Sequence, residues 1–391
     1  MLKRAWGLSL AVLTMTACGI NENNSDSQET DNSSPDMQED VQNEQREIDK
    51  NSNAQEKSTK DEDDQKDERS GSFSIVLSVE DLDDQQLISL AELSDQAGGS
   101  LNMDSLHRTA HMSIWGKDFY FVEEVPVIQV NGIHYEAEDL PFSTDEEDAL
   151  IPVAFLEDFL GADVELMNDE LTAWLDDEEL ERQPDPRDDF DHDSMTVNEM
   201  IDYLSFLESP IEDAEVSTVE SHLPGAPRAY RNGHHEGIDW YDYTTDVVID
   251  TSTPILAQGE GEVIRADHDF EDYPSHEVRD QDLELAAESG FTPEYILDRL
   301  RGQQVWIQYE RGVMIRFAHL DQIPEDLKVG DPVDSETVIG YVGNSGTSGA
   351  LEGDGSGLHL HQDLLVYDTL FYEPFSLEET KEIIHALWGR P

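Results

Sequence analysis

One cysteine stands in 391 residues, so no disulfide can close within the chain. Basic residues are also scarce: 23 lysines and arginines face 90 aspartates and glutamates, a formal charge of -67. From Phe73 onward the lysines are Lys117, Lys328 and Lys381 alone. Such a charge repels phosphate backbones and anionic membrane surfaces, which excludes nucleic acid as a partner. Long apolar runs are missing as well. The most apolar segment, Ala5 to Ala17 (AWGLSLAVLTMTA), falls short of the roughly 20 residues that a membrane-spanning helix needs. Aromatic residues are absent from Gly19 to Ser72, where 17 acidic and 6 basic residues mix with Asn, Ser and Gln. That stretch cannot bury enough apolar surface to offset its ordering entropy.

What is present begins with an address. Lys3 and Arg4 precede the apolar segment, which ends Met15-Thr16-Ala17-Cys18. This resembles a bacterial lipoprotein signal over residues 1–18, with Cys18 as the lipidated residue. It implies an exported protein, lipid-anchored to the extracytoplasmic face of a bacterial membrane. Residues 19–72 then read as an acidic, disordered tether that holds the folded parts away from the lipid. The excess of carboxylates over lysine is similar to that of proteins from halophiles, and points to a salt-rich or soda environment.

Residues 73–181 read as a duplicated α+β module. The segment Leu87 to Gly98 matches Leu150 to Gly161 at a constant offset of 63, with Ala91/Ala154, Leu93/Leu156, Asp95/Asp158 and Gly98/Gly161 coinciding. Each copy reads as a short helix closed by glycine and followed by a strand. Phe119–Val122 and Val125–Val130 read as strands, with Asn131-Gly132 as a tight turn. The run from NGIHY through LIPVAFLEDFLGADVEL resembles copper amine oxidase N-terminal-like modules, which are non-catalytic. A wall-binding or positioning role is expected. His107, His111 and His134 have no ligand spacing and read as surface or core residues. Residues 182–216 form a polar linker and an amphipathic helix over Thr196–Leu207.

From residue 217 to 375 the texture is mainly β. Short strands are expected at Val247–Ile249, Ile255–Ala257, Gly261–Ile264, Val305–Ile307, Val313–Phe317 and Val338–Val342, which suggests an antiparallel sandwich or barrel. Asp267 to Gln303 interrupts them with a helical insertion, in which Thr292-Pro293 reads as a cap and first turn. Residues 376–391 read as a C-terminal helix.

The chemistry lies in scattered histidines. In GSGLHLHQDL, residues 355–364, strand alternation puts Leu360 and Leu364 on one face and His359, His361 and Asp363 on the other. One face suits a core; the other suits a metal or a proton transfer. His235 and Asp239 are four apart around Gly237, and Ala318-His319-Leu320 ends an apolar strand. The adjacent His234 is the less favoured alternative, because only His235 has Gly at +2 and Asp at +4; His268 and His276 read as surface residues. The glycine run 343–357 lacks the Lys-Ser/Thr of a phosphate-binding loop.

Together, H-E-G-I-D at 235–239, A-H-L at 318–320 and G-L-H-L-H at 357–361 resemble the lysostaphin/LytM-type zinc metallopeptidases of peptidoglycan. T-P-x-x-A-x-x-x-G-x-V at 253–263 and VIGYVGNSG at 338–346 agree with that family's framing strands, so the resemblance covers about residues 221–370. It implies a duplicated hybrid motif within the β-domain. It also implies Zn2+ held by His235, Asp239 and His361, and catalytic histidines His359 as base and His319 beside the reacting carbonyl. The donor set itself, imidazole nitrogen and carboxylate oxygen, suits zinc. The implied activity is endopeptidase cleavage of peptidoglycan cross-links or stem peptides. The alternatives are a catalytically weak wall-binding scaffold and a peptidase acting on other peptides. One departure is plain: the family places an aromatic residue and Glu after its last histidine, and this chain has Gln362 and Asp363.

Overall fold

The computed structural model describes residues 72–82, 85–144, 148–167, 170–176 and 184–389. The expected signal segment, Cys18 and nearly all of the expected acidic tether lie outside these residues. Among the described residues no helix is long and apolar enough to cross a membrane. The fold is mainly β, and every strand pairing is antiparallel.

The N-terminal module holds a six-stranded and a five-stranded sheet around one core. Leu77, Ile88, Leu93, Met112, Phe119, Phe121 and Phe155 are buried in it. Its helices are short, Leu90–Gln96 and Ala154–Asp158, so strand predominates over helix. Ser89 caps the first helix by accepting from the Glu92 backbone N–H. Both expected closing glycines have positive φ, +67° at Gly98 and +65° at Gly161. The strands that lead into the two helices pair with each other, with Ile88 opposite Ile151. At the Asn131-Gly132 turn both residues have positive φ, as a two-residue hairpin of this hand requires, and Val130 faces Ile133 across it.

The second region is a sandwich. A seven-stranded sheet runs from Ile238–Trp240 through Leu360–Val366, Val313–Ala318, Val305–Tyr309 and Gly261–Ala266 to Pro332–Val333, with Thr369–Leu370 as a seventh strand paired to the end of Leu360–Val366. A three-stranded sheet of Pro254–Leu256, Val338–Val342 and Leu320–Gln322 faces it. The core between them includes Val263, Ile307, Ile315, Phe317, Leu320, Ile339 and Leu364. Two helices close the same core: Val197–Leu204 supplies Met200 and Leu204, and Leu377–Trp388 supplies Ile383, Ile384 and Trp388. Each begins with a reciprocal capping box, Thr196 with Glu199 and Ser376 with Glu379. The expected amphipathic helix is therefore three residues shorter at its C-terminal end than its pattern suggests.

Two expectations fail locally. Val247–Ile249 is not a strand. Asp246 has positive φ, and Asp250 folds the chain into a turn by accepting from Ser252, so Val248 is left 84% exposed. Thr292 does not cap the helix Glu294–Arg301, which begins without a side-chain cap. Its hydroxyl is buried and accepts instead from Arg231 Nη1 at 2.7 Å.

The outer face of the seven-stranded sheet is covered by the N-terminal module. Val127 packs there with Ile264, Trp306, Met314 and Leu365. The His134 backbone N–H donates to Gln308 Oε1, and Arg187 bridges Asp118 of the module to Asp368 of the sandwich.

Candidate metal centre

The strand Leu360–Val366 is buried along its whole length, and its alternation sorts its side chains. Leu360, Leu364 and Val366 enter the sandwich core. Gln362 shares that face but is paired there, accepting from Trp240 Nε1 and donating to Gln258 Oε1. His361 and Asp363 point the other way, and His359 sits just before the strand, bridged to Gly343. On one side lies Ile238–Trp240, with Asp239 opposite His361. On the other lies Val313–Ala318, with Ala318 opposite His361 and His319 next in the chain.

Gly237 explains the tight H-x-G-x-D spacing. A Cβ there would overlap the Gln362 carbonyl and lie 2.7 Å from Asp363 Oδ1. Only glycine lets the His235–Asp239 segment lie this close to the histidine strand.

Three donor atoms converge. Asp239 Oδ1 lies 2.9 Å from both His235 Nε2 and His361 Nδ1, and the two nitrogens are 3.1 Å apart. His235 donates its Nδ1–H to the Leu223 carbonyl, and His361 donates its Nε2–H to Asp363 Oδ1 at 2.7 Å. In the neutral rings the facing nitrogens are thus both lone pairs. Three acceptors so close cannot satisfy one another, and either a proton or a metal ion resolves the conflict. A tetrahedral zinc at about 2.0–2.1 Å from each ligand needs ligand separations of about 3.3 Å. The triangle lies within a few tenths of an ångström of that. The residues fit the ion, and the site is compatible with zinc.

Electrostatics agrees. Burial opposes charge on Asp239, but His235 and His359 outweigh it and hold the carboxylate well below its usual range. Burial also opposes the imidazolium of His361, yet Asp363 and Asp239 push its pKa up to about 9. Burial lowers that of His235. Asp363 is itself fixed: Arg301 Nε donates to its Oδ2 at 2.6 Å, and Arg316 Nη1 stands 3.7 Å away. The carboxylate that departs from the usual pattern therefore sets the tautomer of His361.

Two further histidines flank the triangle. His359 ring Nε2 is 3.5 Å from Asp239 Oδ1, and its Nδ1–H donates to the Gly357 carbonyl. His319 donates Nδ1–H to the Ser345 carbonyl at 2.7 Å, and its ring centre lies 4.6 Å from that of His359. Burial, then His359 and His361, hold His319 well below the usual imidazole range, so it is neutral. Its φ is +60°, a strained backbone for a non-glycine residue.

All five singled-out positions, His235, Asp239, His319, His359 and His361, meet at one cavity of about 350 Å3. His234 is exposed and His276 lies away on the insertion helix His276–Ser289, while His268 bonds the Leu327 carbonyl. His111 packs edge-on to Tyr120, His107 stacks on Phe291, and His134 is buried at the module junction.

Other residues at the site had no sequence signal. Arg228 Nη2 donates to Asp239 Oδ2 at 3.2 Å, steadying the carboxylate through the oxygen that faces away from the nitrogens. Tyr241 stacks on His359 with ring centres 4.4 Å apart. Arg231 clamps Glu236 with both terminal nitrogens.

No family model matches the sequence, and no curated protein matches it. Among solved structures the chain is similar to a protein described as a peptidase M23 from Pseudomonas aeruginosa, at 21% identity and a TM-score of 0.25, covering 44% of this chain and 52% of that one. The chain thus spans about half the length of that protein. It is similar also to the catalytic domain of lysostaphin from Staphylococcus simulans, at 19% identity, TM-score 0.22, 37% and 73% coverage. A zinc-containing peptidase from Vibrio cholerae matches at 14% identity, TM-score 0.28, with 76% and 69% coverage. At these scores the likenesses carry no weight of their own, and the case for function rests on the site.

Proposed function

We propose that this chain is a zinc-dependent endopeptidase that cleaves peptide bonds in peptidoglycan. The observation that carries the reading is the triangle of His235, Asp239 and His361, with two oriented histidines beside it. Zinc, when bound there, supplies Lewis acidity and lowers the pKa of a coordinated water. The remaining chemistry belongs to the chain. His359 has its Nδ1–H committed to Gly357, so Nε2 is the atom that takes a proton as water adds to the peptide carbonyl. The resulting imidazolium then returns that proton to the leaving amine nitrogen. His319, neutral and with Nδ1–H committed to Ser345, offers a lone pair at Nε2. It orients the attacking water rather than donating to the carbonyl oxygen, which refines the role expected of it.

The wider reading goes with this one. The protein is exported and anchored through lipid on Cys18 to the extracytoplasmic face of a bacterial membrane, with peptidoglycan as its partner. The strand–helix–strand segments around Ile88 and Ile151 are copies of one unit, and the module they form positions the peptidase on the wall. The acidic surface suits a salt-rich habitat. A non-catalytic scaffold would not need His319 and His359 oriented beside the ligand triangle.

Digestion of purified peptidoglycan, followed by mass spectrometry of the released muropeptides, tests the proposal. New peptide termini are expected, abolished by a chelator and restored by zinc. His359→Ala should keep the zinc and lose activity by about 100-fold or more. Activity untouched by chelation or by that substitution would sink the mechanism.

A further inference from the structure

The cavity over the ligand triangle is lined by four arginines, Arg228, Arg231, Arg279 and Arg301. The chain holds only 23 basic residues and carries a net charge of -67, so composition alone does not put them there. Three are committed. Arg228 pairs with Asp239, Arg231 with Glu236 and Arg301 with Asp363. Arg279 is different. Its Nε donates to the Gly346 carbonyl at 3.0 Å, and among the described residues its guanidinium makes no ion pair. Both terminal nitrogens remain, in the planar fork that matches a carboxylate.

Placement adds a second observation. Ser345 and Gly346 are adjacent, and their carbonyls hold His319 and Arg279 respectively. Arg279 and His319 are thus anchored on neighbouring residues in the wall of the same cavity. Arg279 comes from the helix His276–Ser289 of the insertion, not from the strands that carry the metal ligands. It can set preference without building the centre.

We propose that this cavity selects peptides bearing a free carboxylate next to the scissile bond, and that Arg279 is the residue that recognises it. This rests on the peptidase reading above and names its substrate class: the acid form of a peptidoglycan stem peptide in preference to the amidated form. Long-range repulsion from the acidic surface works against such a ligand. A local, bidentate contact in a partly enclosed cavity is the arrangement that overcomes it.

The test measures binding apart from turnover. Two synthetic stem peptides, identical except that the carboxylate next to the scissile bond is free in one and a carboxamide in the other, are titrated calorimetrically into the zinc-loaded full chain carrying His359→Ala. The acid peptide should bind about 10-fold more tightly. Adding Arg279→Gln should bring the two affinities within about 2-fold, while Arg279→Lys should keep part of the preference. Equal affinity with Arg279 in place, a preference that survives Arg279→Gln, or no measurable binding of either peptide would overturn the proposal. Cleavage of the same peptides by the unsubstituted chain reports separately on the peptidase reading. A preference for the acid peptide without cleavage would refute the enzyme and leave the carboxylate recognition standing.

Discussion

At Gly237 the backbone of one segment of the donor triangle touches the backbone of another, and the geometry of the triangle depends on that contact. A methyl group there meets the Gln362 carbonyl, which must shift and carry His361 with it. Gly237→Ala should weaken zinc binding by at least about 10-fold and cost about 1–3 kcal/mol of stability, as overpacking does. Competition with a fluorescent chelator measures the first, and unchanged affinity would contradict the contact's importance. His361 makes a second case. Burial resists its charge, but Asp363 and Asp239 raise its pKa to about 9 from an ordinary 6.5. At pH 7 the metal-free centre therefore holds a proton that an incoming ion must expel. Calorimetry in two buffers of different ionisation enthalpy should find about one proton released per zinc, with affinity rising up to about pH 9. No proton release at pH 7 would contradict it. The sign for folding is the opposite: the raised pKa stabilises the metal-free fold below about pH 6.5, and that contribution is lost as pH rises through about 9. The sequence pattern marked the three residues of the donor triangle and the two flanking histidines. It could not mark Arg228, Tyr241 or Arg301, because each reaches the site from a segment whose own spacing says nothing about histidine.

Elements show the same division. Strands with alternating or continuous apolar residues formed where expected, and both closing glycines of the repeat adopt left-handed backbone. The failures have local causes. Val247–Ile249 has β-branched residues but no partner strand, and the turn at Asp250 pulls it away from the sheet. Thr292 precedes proline, yet the buried Arg231 guanidinium takes its hydroxyl. Nothing in sequence reveals that competition. The junction of the module with the seven-stranded sheet was equally silent, and it contains a titratable strain. His134 is buried there, accepts from Gln129 at Nε2, and leaves Nδ1 without a partner among the described residues. Burial, then Arg316, lowers its pKa to about 3 from 6.5. The unfolded chain takes a proton below about pH 6.5 that the fold refuses, so stability falls with acidification by up to about 1.4 kcal/mol per pH unit. Between pH 7 and pH 5 the unsubstituted chain should lose about 2 kcal/mol more than His134→Gln in urea unfolding. Parallel pH profiles would remove His134 from the account.

At the scale of the whole molecule, a chain of net charge -67 holds an arginine-lined cavity that contains the triangle of His235, Asp239 and His361. The insertion helices link the two: Arg279 faces the cavity, and Arg301 holds the carboxylate that orients His361. The module, meanwhile, covers the outer face of the sheet whose other elements hold the centre. This organisation has one requirement beneath all the others, that the triangle binds a metal. Elemental analysis of the full chain purified at neutral pH, beside its His361→Ala variant, addresses it directly. The account predicts about one zinc per chain in the first and almost none in the second; a metal-free wild-type chain under zinc-replete conditions, or the same zinc content in both, would contradict it.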